Sequence, residues 1–151
     1  MTERTALEKV RAWLKTYPGY AQLKDLTVDA TDPRPSNGSV APGGTVEIAR
    51  KKDILGNVTI TNQLNFTLYF VFSKDPDDDV QAEKNAQWLM DFQDWVQAQS
   101  ITGQAPVFGD APKRESVKAQ NGTLFGADAE GCAVYAVQLS AQYIKIYEVN
   151  V

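Results

Sequence analysis

The sequence predicts an α+β domain in which two helices pack on one side of a mainly antiparallel sheet of about five strands. The first observation is a clean alternation of apolar and polar residues over 58–73, which is typical of an antiparallel strand with one face on the core. The second is a broad apolar stripe at helical spacing over 82–96. The third is the order of the segments in residues 1–151, which is helix, three strands, helix and two strands and indicates a single domain.

The first helix is predicted to begin at Thr5, because Thr5 and Glu8 have the spacing of a capping box. Pro18 disfavours helical backbone at Tyr17, so the helix is expected to end there. Apolar residues recur at helical spacing between these ends and predict the buried side of the helix. These residues are Leu7, Val10, Leu14 and Tyr17.

A short half-buried strand is predicted over 26–30, where apolar and polar residues alternate. Residues 32–44 contain three prolines and three glycines and are expected to form a long exposed loop. Loops of this length are often functional. A second strand is expected to begin at Val46, and a turn over 53–57 is expected to lead into the long strand.

The second helix is predicted to begin with Asp75 as its cap and Pro76 as its first helical residue, and to end near Gln99. Its apolar stripe is wide enough to lie on a sheet. The contacts predicted between this helix and the long strand join Trp88, Phe92 and Trp95 to Phe66, Leu68 and Phe70.

The last part of the sequence predicts two more strands after a Gly- and Pro-rich loop over 101–112. A strand through Val117 and Ala119 leads to Asn121-Gly122, a strong signal for a hairpin turn because both residues tolerate positive φ. Alternation over 135–143 predicts the final strand.

The composition excludes several classes of function. Fifteen basic and 19 acidic residues give a net charge of -4, which disfavours general binding to nucleic acids or anionic membranes. The chain has no histidine, the usual general base and the commonest zinc ligand. Cys132 is the single cysteine, so no internal disulfide forms, and its position in an apolar strand favours a buried side chain over a nucleophile.

Known motifs do not add a chemical site. Alternating acids over 75–79 resemble the start of a calcium loop, but that loop needs Gly at its sixth position and Glu at its twelfth, where Val80 and Ala86 stand. Neither a phosphate-binding glycine loop nor a Gly-x-Ser-x-Gly nucleophile turn occurs. The sequence therefore predicts a protein that is not an enzyme, with no catalytic residues, cofactor or metal.

Charge is segregated along the chain. Residues 50–52 form a basic triplet, whereas 75–94 contain seven acids and a single lysine. Unlike edges suit a head-to-tail contact between copies of one chain, although two unrelated solvated patches explain the charges equally well. The candidate subunit interface comprises Arg50, Lys51, Lys52, Asp77, Asp78 and Asp79.

Residues 65–149 resemble the tail-terminator proteins of long-tailed phages and prophages, a group often labelled minor capsid protein. The likeness rests on Asn65-Phe66-Thr67-Leu68, on 87–96 (QWLMDFQDWV), on the loop over 106–112, on Asn121-Gly122 and on 135–143 (YAVQLSAQY). The resemblance implies an α+β fold and a hexameric ring that caps the tail tube. It implies the tail tube protein and the head–tail connector as partners, with DNA passing through the lumen without specific binding.

Two other hypotheses remain open at the level of sequence. One is a different virion part, either a head-completion adaptor or a tail tube subunit. The other is a small ligand- or sugar-binding domain, which would require exposed tryptophans. The N-terminus has no apolar signal core and no segment approaches the length of a membrane helix, so we expect the host cytoplasm during assembly and then the virion tail.

Overall fold

A computed structural model of the protein describes residues 5–22, 25–28, 37–73, 79–127 and 132–149. Their elements confirm the predicted α+β class, with two α-helices and an antiparallel sheet. Short 3₁₀ turns lie at Pro18–Gln22 and Pro112–Arg114. In chain order the helices and strands are α1 (Ala6–Leu14), β1 (Asp25–Val28), β2 (Asn37–Lys52), β3 (Val58–Ser73), α2 (Asp79–Ile101), β4 (Ser116–Ala127) and β5 (Cys132–Tyr147).

The strands are hydrogen-bonded in the order β1-β2-β3-β5-β4. Neighbours from β2 to β4 are antiparallel, whereas β1 pairs with the start of β2 in parallel. The central pair, β3 and β5, keeps an unbroken register from Val58 opposite Tyr147 to Ser73 opposite Cys132. Alternation over 58–73 therefore predicted the strand that holds the sheet together.

One face of the sheet forms the core together with both helices. Side chains alternate between the faces of a strand, so Phe66 and Leu68 share a face with their partners Leu139 and Val137. The helices bury their apolar sides in the same cluster. Its helical members are Val10, Trp13, Leu14, Trp88, Leu89, Phe92 and Val96, and Tyr17 joins them from the turn after α1. Its largest strand members are Phe66, Leu68, Phe70, Phe72, Tyr135 and Leu139.

The first helix begins as predicted but ends earlier. The Thr5 hydroxyl accepts a hydrogen bond from the Glu8 N–H at 3.2 Å, which caps the helix. The α-helix ends at Leu14 rather than Tyr17. The Tyr17 N–H instead closes a tighter turn onto the Leu14 carbonyl at 3.2 Å, in keeping with the restriction that Pro18 places on its predecessor.

The expected loop over 32–44 is wrong for its second half, because residues 37–44 belong to β2. The register with β3 shifts between Pro42 and Thr45, so a bulge takes up Gly43 and Gly44. Gly44 has φ +80°, which glycine adopts without strain. Pro42 lies two residues beyond Val40, the last β2 residue that pairs with the described part of β1. Residues 32–36 lie outside the described part.

The predicted hairpin turn at Asn121-Gly122 is also wrong. Both residues lie inside β4, where the register with β5 shifts between Gln120 and Thr123. Asn121 has φ 59°, so the tolerance of positive φ that suggested a turn serves a bulge instead. The predicted cap of α2 at Asp75 and Pro76 falls outside the described residues, and the helix ends two residues after Gln99.

The loop before β4 runs along β5 beyond the point where β4 begins. The Asp110 N–H donates to the Ile144 carbonyl at 2.7 Å, and the Asp110 carboxylate accepts the Ile146 N–H at 2.8 Å. The Lys9 ammonium of α1 donates to the Val107 carbonyl at 2.8 Å and fixes the other side of the loop. The loop thereby satisfies backbone groups of β5 that β4 does not reach.

Candidate functional site

The described residues contain no candidate metal site. Among the residues that the structure describes, no group of three or more Cys, Asp or Glu side chains is placed to hold a metal ion. Within the same ranges, no helix is both long and apolar enough to cross a bilayer. The Cys132 side chain lies outside the described part. The geometry therefore adds no catalytic or metal-binding candidate to those weighed from the sequence.

The tryptophans lie in or against the core. Trp88 is 6% exposed and its ring lies 4.8 Å from Phe70, whereas the partly buried Trp95 stacks on Trp13 at 4.9 Å. Phe92 is 1% exposed and lies 5.6 Å from Phe70. The predicted packing of the α2 aromatics against β3 is confirmed for Trp88 and Phe92, whereas Trp95 stacks on α1 instead. These rings do not form the exposed platform that a sugar-binding domain would need.

Tyr17 is the buried ionisable group of this aromatic cluster. Its hydroxyl donates to the Trp88 carbonyl at 3.3 Å. Burial, and secondarily the charge of Asp91, raise the pKa of Tyr17 to about 12. The phenol is therefore protonated at neutral pH and acts as a hydrogen-bond donor to α2.

The hairpin of β2 and β3 extends past the packed core. We call residues 45–64 the arm; it consists of the distal halves of both strands and their turn. Ile54 and Leu55 at its turn are 102% and 75% exposed, and Val46 and Ile48 are each 50% exposed. Within the described residues, Ile54 and Leu55 are therefore largely uncovered, and Val46 and Ile48 are half covered. Clusters of exposed apolar residues on a structured element commonly mark contact surfaces.

The turn of the arm is well ordered by hydrogen bonds. One Asp53 carboxylate oxygen accepts the N–H groups of Leu55 and Asn57, both at 2.9 Å. The backbone of Asp53 also pairs with Asn57 at 3.0 Å, and Gly56 has φ +89°. Such a turn presents Ile54 and Leu55 in one conformation, which lowers the entropy lost when they bind.

The basic residues of the candidate interface lie at the end of β2, directly before the turn of the hairpin. Arg50 is bound by Glu47 of the same strand at 2.7 Å, and this hydrogen bond raises the pKa of Arg50. Lys51 and Lys52 are exposed. A register shift between Glu47 and Ala49 turns Glu47 and Arg50 to the same face, which the sequence did not indicate.

The acidic residues of that interface are described only in part. Asp77 and Asp78 lie outside the described residues, and Asp79 is the first residue of α2, with its side chain likewise outside the description. The predicted pairing of the two charged sets stays a prediction.

A groove that the sequence did not reveal lies between α2 and β4. It has a volume of about 580 Å³. The N–H of Val117 donates to the Ser100 hydroxyl at 3.0 Å, and the Gln93 amide donates to the Ala119 carbonyl at 3.1 Å. The groove is lined by Gln93, Asp94, Gln97, Ser100, Ile101, Ser116, Val117, Lys118, Ala119 and Gln120.

The sheet face opposite the helices is rich in amides and hydroxyls. Gln63 donates to Asn65 at 2.8 Å and accepts from Gln142 at 3.1 Å. A second cavity of about 230 Å³ opens on this face beside Thr67 and Ser140. This surface can hydrogen-bond through Gln63, Asn65 and Gln142, and Lys118, which stands opposite Ser140, adds a positive charge to the same face.

Comparisons with known proteins add no homologue to these observations. No family model matches the sequence, and no curated protein is significantly similar to it.

Proposed function

We propose that this protein is a structural component of a long-tailed phage that forms a ring, with six subunits as in the resembling family, caps the tail tube and joins it to the head. The observation that carries the proposal is the arm, an ordered hairpin whose apolar residues have no cover in the described chain. A side chain such as Ile54 or Leu55 contributes about 1.5–3 kcal/mol when it is fully buried. An assembly protein recovers this free energy when it meets its partners.

The finer features of the fold support the same proposal. The elements follow the order helix, three strands, helix, two strands that the resemblance implies. Both α1 and α2 contribute to a core on one face of the sheet, which leaves the amide-rich face for another role. In a ring around DNA, a face of mainly uncharged polar residues such as Gln63 and Gln142 would let the duplex pass with few phosphate contacts.

A tail tube subunit or a head-completion adaptor is the alternative role within the virion. A tube subunit polymerises into open stacks, whereas a terminator stops at one ring. The sugar-binding alternative required exposed tryptophans, and the core packing of Trp13, Trp88 and Trp95 removes that basis. The absence of enzymatic activity and of a cofactor stays part of the proposal.

The test is electron microscopy of the purified protein with and without purified tail tubes. We expect one ring at one end of each tube and no further growth of the tube when tube protein is added. Stacks of rings would indicate a tube subunit. Binding to heads without tails would indicate an adaptor, and the absence of any contact with tubes or heads would reject the proposed function.

A further inference from the structure

We propose that the turn of the arm inserts Ile54 and Leu55 into the groove between α2 and β4 of a second copy of this chain. The proposal deepens the proposed function and rests on it for the closure of a ring. It assigns both sides of a contact: a donor at the end of the β2–β3 hairpin and an acceptor at the opposite edge of the sheet. The occupant is one of these hairpins and not an unrelated partner.

The donor has the properties of an anchor. Ile54 is 102% exposed and Leu55 is 75% exposed, so both side chains stand clear of their own chain. The two hydrogen bonds to the Asp53 carboxylate hold the turn in shape before contact. Central apolar anchors that are ordered in advance dominate the affinity of protein interfaces.

Two backbone groups of the acceptor on β4 are already hydrogen-bonded to side chains of α2. Val117 in its floor is buried, and its N–H already donates to the Ser100 hydroxyl. The Ala119 carbonyl already accepts from Gln93. Ile101, which is 79% exposed, adds an apolar side chain at the rim of the groove. The volume of about 580 Å³ is within the range of roughly 300–1,000 Å³ that protein pockets use for ligands.

The hairpin cannot reach the groove of its own chain. In the sheet, Ser116 of β4 stands opposite Gln142 of β5, which stands opposite Gln63 of β3. The turn lies beyond Val58, five residues or about 17 Å farther along the strand and two strands or about 10 Å across. Folding it back would break the β2–β3 pairing between Lys52 and Val58.

Charge supports a second copy as the occupant. The end of the arm carries two exposed lysines, Lys51 and Lys52, and the helix side of the groove carries the exposed acid Asp94. A lysine of the arm placed beside Asp94 fixes which way the arm lies in the groove. Such complementarity selects the register of an interface more than its affinity.

The contact joins two different surfaces, so it is head-to-tail. Each chain offers an arm to one neighbour and a groove to the other. Heterologous contacts of this kind close into rings when the rotation between neighbours divides a full turn, and form open helical filaments otherwise. The contact therefore accounts for a ring without a two-fold interface.

The test is disulfide cross-linking between single-cysteine variants, in a Cys132→Ser background. Leu55→Cys protein is mixed with Gln97→Cys protein under mild oxidation, both alone and with purified tail tubes. We expect 55–97 dimers and few 55–55 or 97–97 dimers. The matched control is Glu83→Cys, exposed on the same helix and about 21 Å from residue 97. A 55–83 cross-link would favour the acidic start of α2 as the docking place and overturn the groove. Predominant 55–55 dimers, or a protein monomeric in both conditions, would overturn it as well.

A second variant tests the apolar anchor. Ile54→Ser with Leu55→Ser should raise the dissociation constant for self-association at least about 30-fold, as loss of an interface hot spot does. Val80→Ser, which changes another exposed apolar side chain, is the control and should leave it within about twofold. Equal self-association of both variants would reject the inference. Cross-linked rings that do not cap tubes would reject the proposed function but not this contact. Capping of tubes without a 55–97 cross-link would reject this contact but not the proposed function.

Discussion

Replacing Phe92 by Ala tests whether the aromatic cluster between α2 and the sheet holds the fold together. Phe92 is 1% exposed. Its ring centroid lies 5.3 Å from Tyr17, 5.6 Å from Phe70, 5.9 Å from Trp88 and 6.1 Å from Trp95. Truncation removes a buried ring and leaves a cavity among four other rings, which are too large to shift into it easily. We therefore expect a loss of about 3–5 kcal/mol in the free energy of unfolding.

The measurement is urea unfolding followed by tryptophan fluorescence, since the tryptophans lie in or beside this cluster. For a protein of this size, each kcal/mol shifts the melting temperature by about 2–4 °C, so a fall of about 6–20 °C is expected in a thermal scan. Met90→Ala is the control. Met90 lies on the same helix at 58% exposure, and its truncation should change stability by no more than about 0.5 kcal/mol. A Phe92→Ala protein within about 1 kcal/mol of the wild type would refute the core assignment and reopen an aromatic binding surface.

Three further predictions concern pH, the arm and the loop before β4. Burial and a nearby aspartate raise the pKa of Tyr17 from 10.0 to about 12 in the folded protein, so Tyr17 loses its proton at lower pH in the unfolded chain. The contribution of Tyr17 to the free energy of unfolding should therefore be complete below pH 10 and should fall between pH 10 and 12. Between pH 9 and pH 11.5, the urea concentration at the midpoint of unfolding should fall less in Tyr17→Phe than in the wild type. Equal falls would show that Tyr17 is not the cause of the pH dependence. Gly56→Ala should destabilise the turn by about 1–2 kcal/mol, because Gly56 has φ +89° and alanine is strained in that conformation. The substitution should also speed hydrogen exchange in the arm, and unchanged exchange would contradict this strain. The Glu115 carboxylate accepts the N–H groups of Phe108 and Gly109 at 2.8 and 3.0 Å, so Glu115→Ala should cost about 1–3 kcal/mol in thermal unfolding while Glu115→Gln costs less. A Glu115→Ala protein as stable as the wild type would show that these hydrogen bonds do not stabilise the loop.

The sequence predicted the elements whose signal repeats many times. The apolar–polar alternation over 58–73 and the apolar stripe over 82–96 each repeat their pattern several times, and both segments contribute to the core. The signals at Pro42 and at Asn121-Gly122 were local, and pairing with a neighbouring strand overrode them. A prolyl residue and positive φ are compatible with a bulge as well as with a loop or turn, so only the partner strand decides between them.

The candidate surface was predictable only in part. The sequence showed that residues 50–52 are basic and that a turn follows, but it did not show that the bulge pairs Arg50 with Glu47. It could not show the groove either. The groove forms where the distal half of α2 meets β4, and periodicity within either segment says nothing about the space between them. The exposure of Ile54 and Leu55 also depends on the tertiary structure, because the same two residues at the turn of a shorter hairpin would lie near the core.

The pairing of β3 with β5 has a consequence for the timing of folding during synthesis. Val58 pairs with Tyr147 and Ser73 with Cys132, so α2 and β4 lie between the two partners in the chain. Contacts between distant segments slow folding, because the intervening loop must be closed before they form. Until β5 has been made, the edge of β3 that pairs with it stays unpaired, and β4 has no described strand to pair with. The nascent chain therefore stays open to misassociation, and to chaperones, until β5 emerges and links β3 to β4 in a single late step.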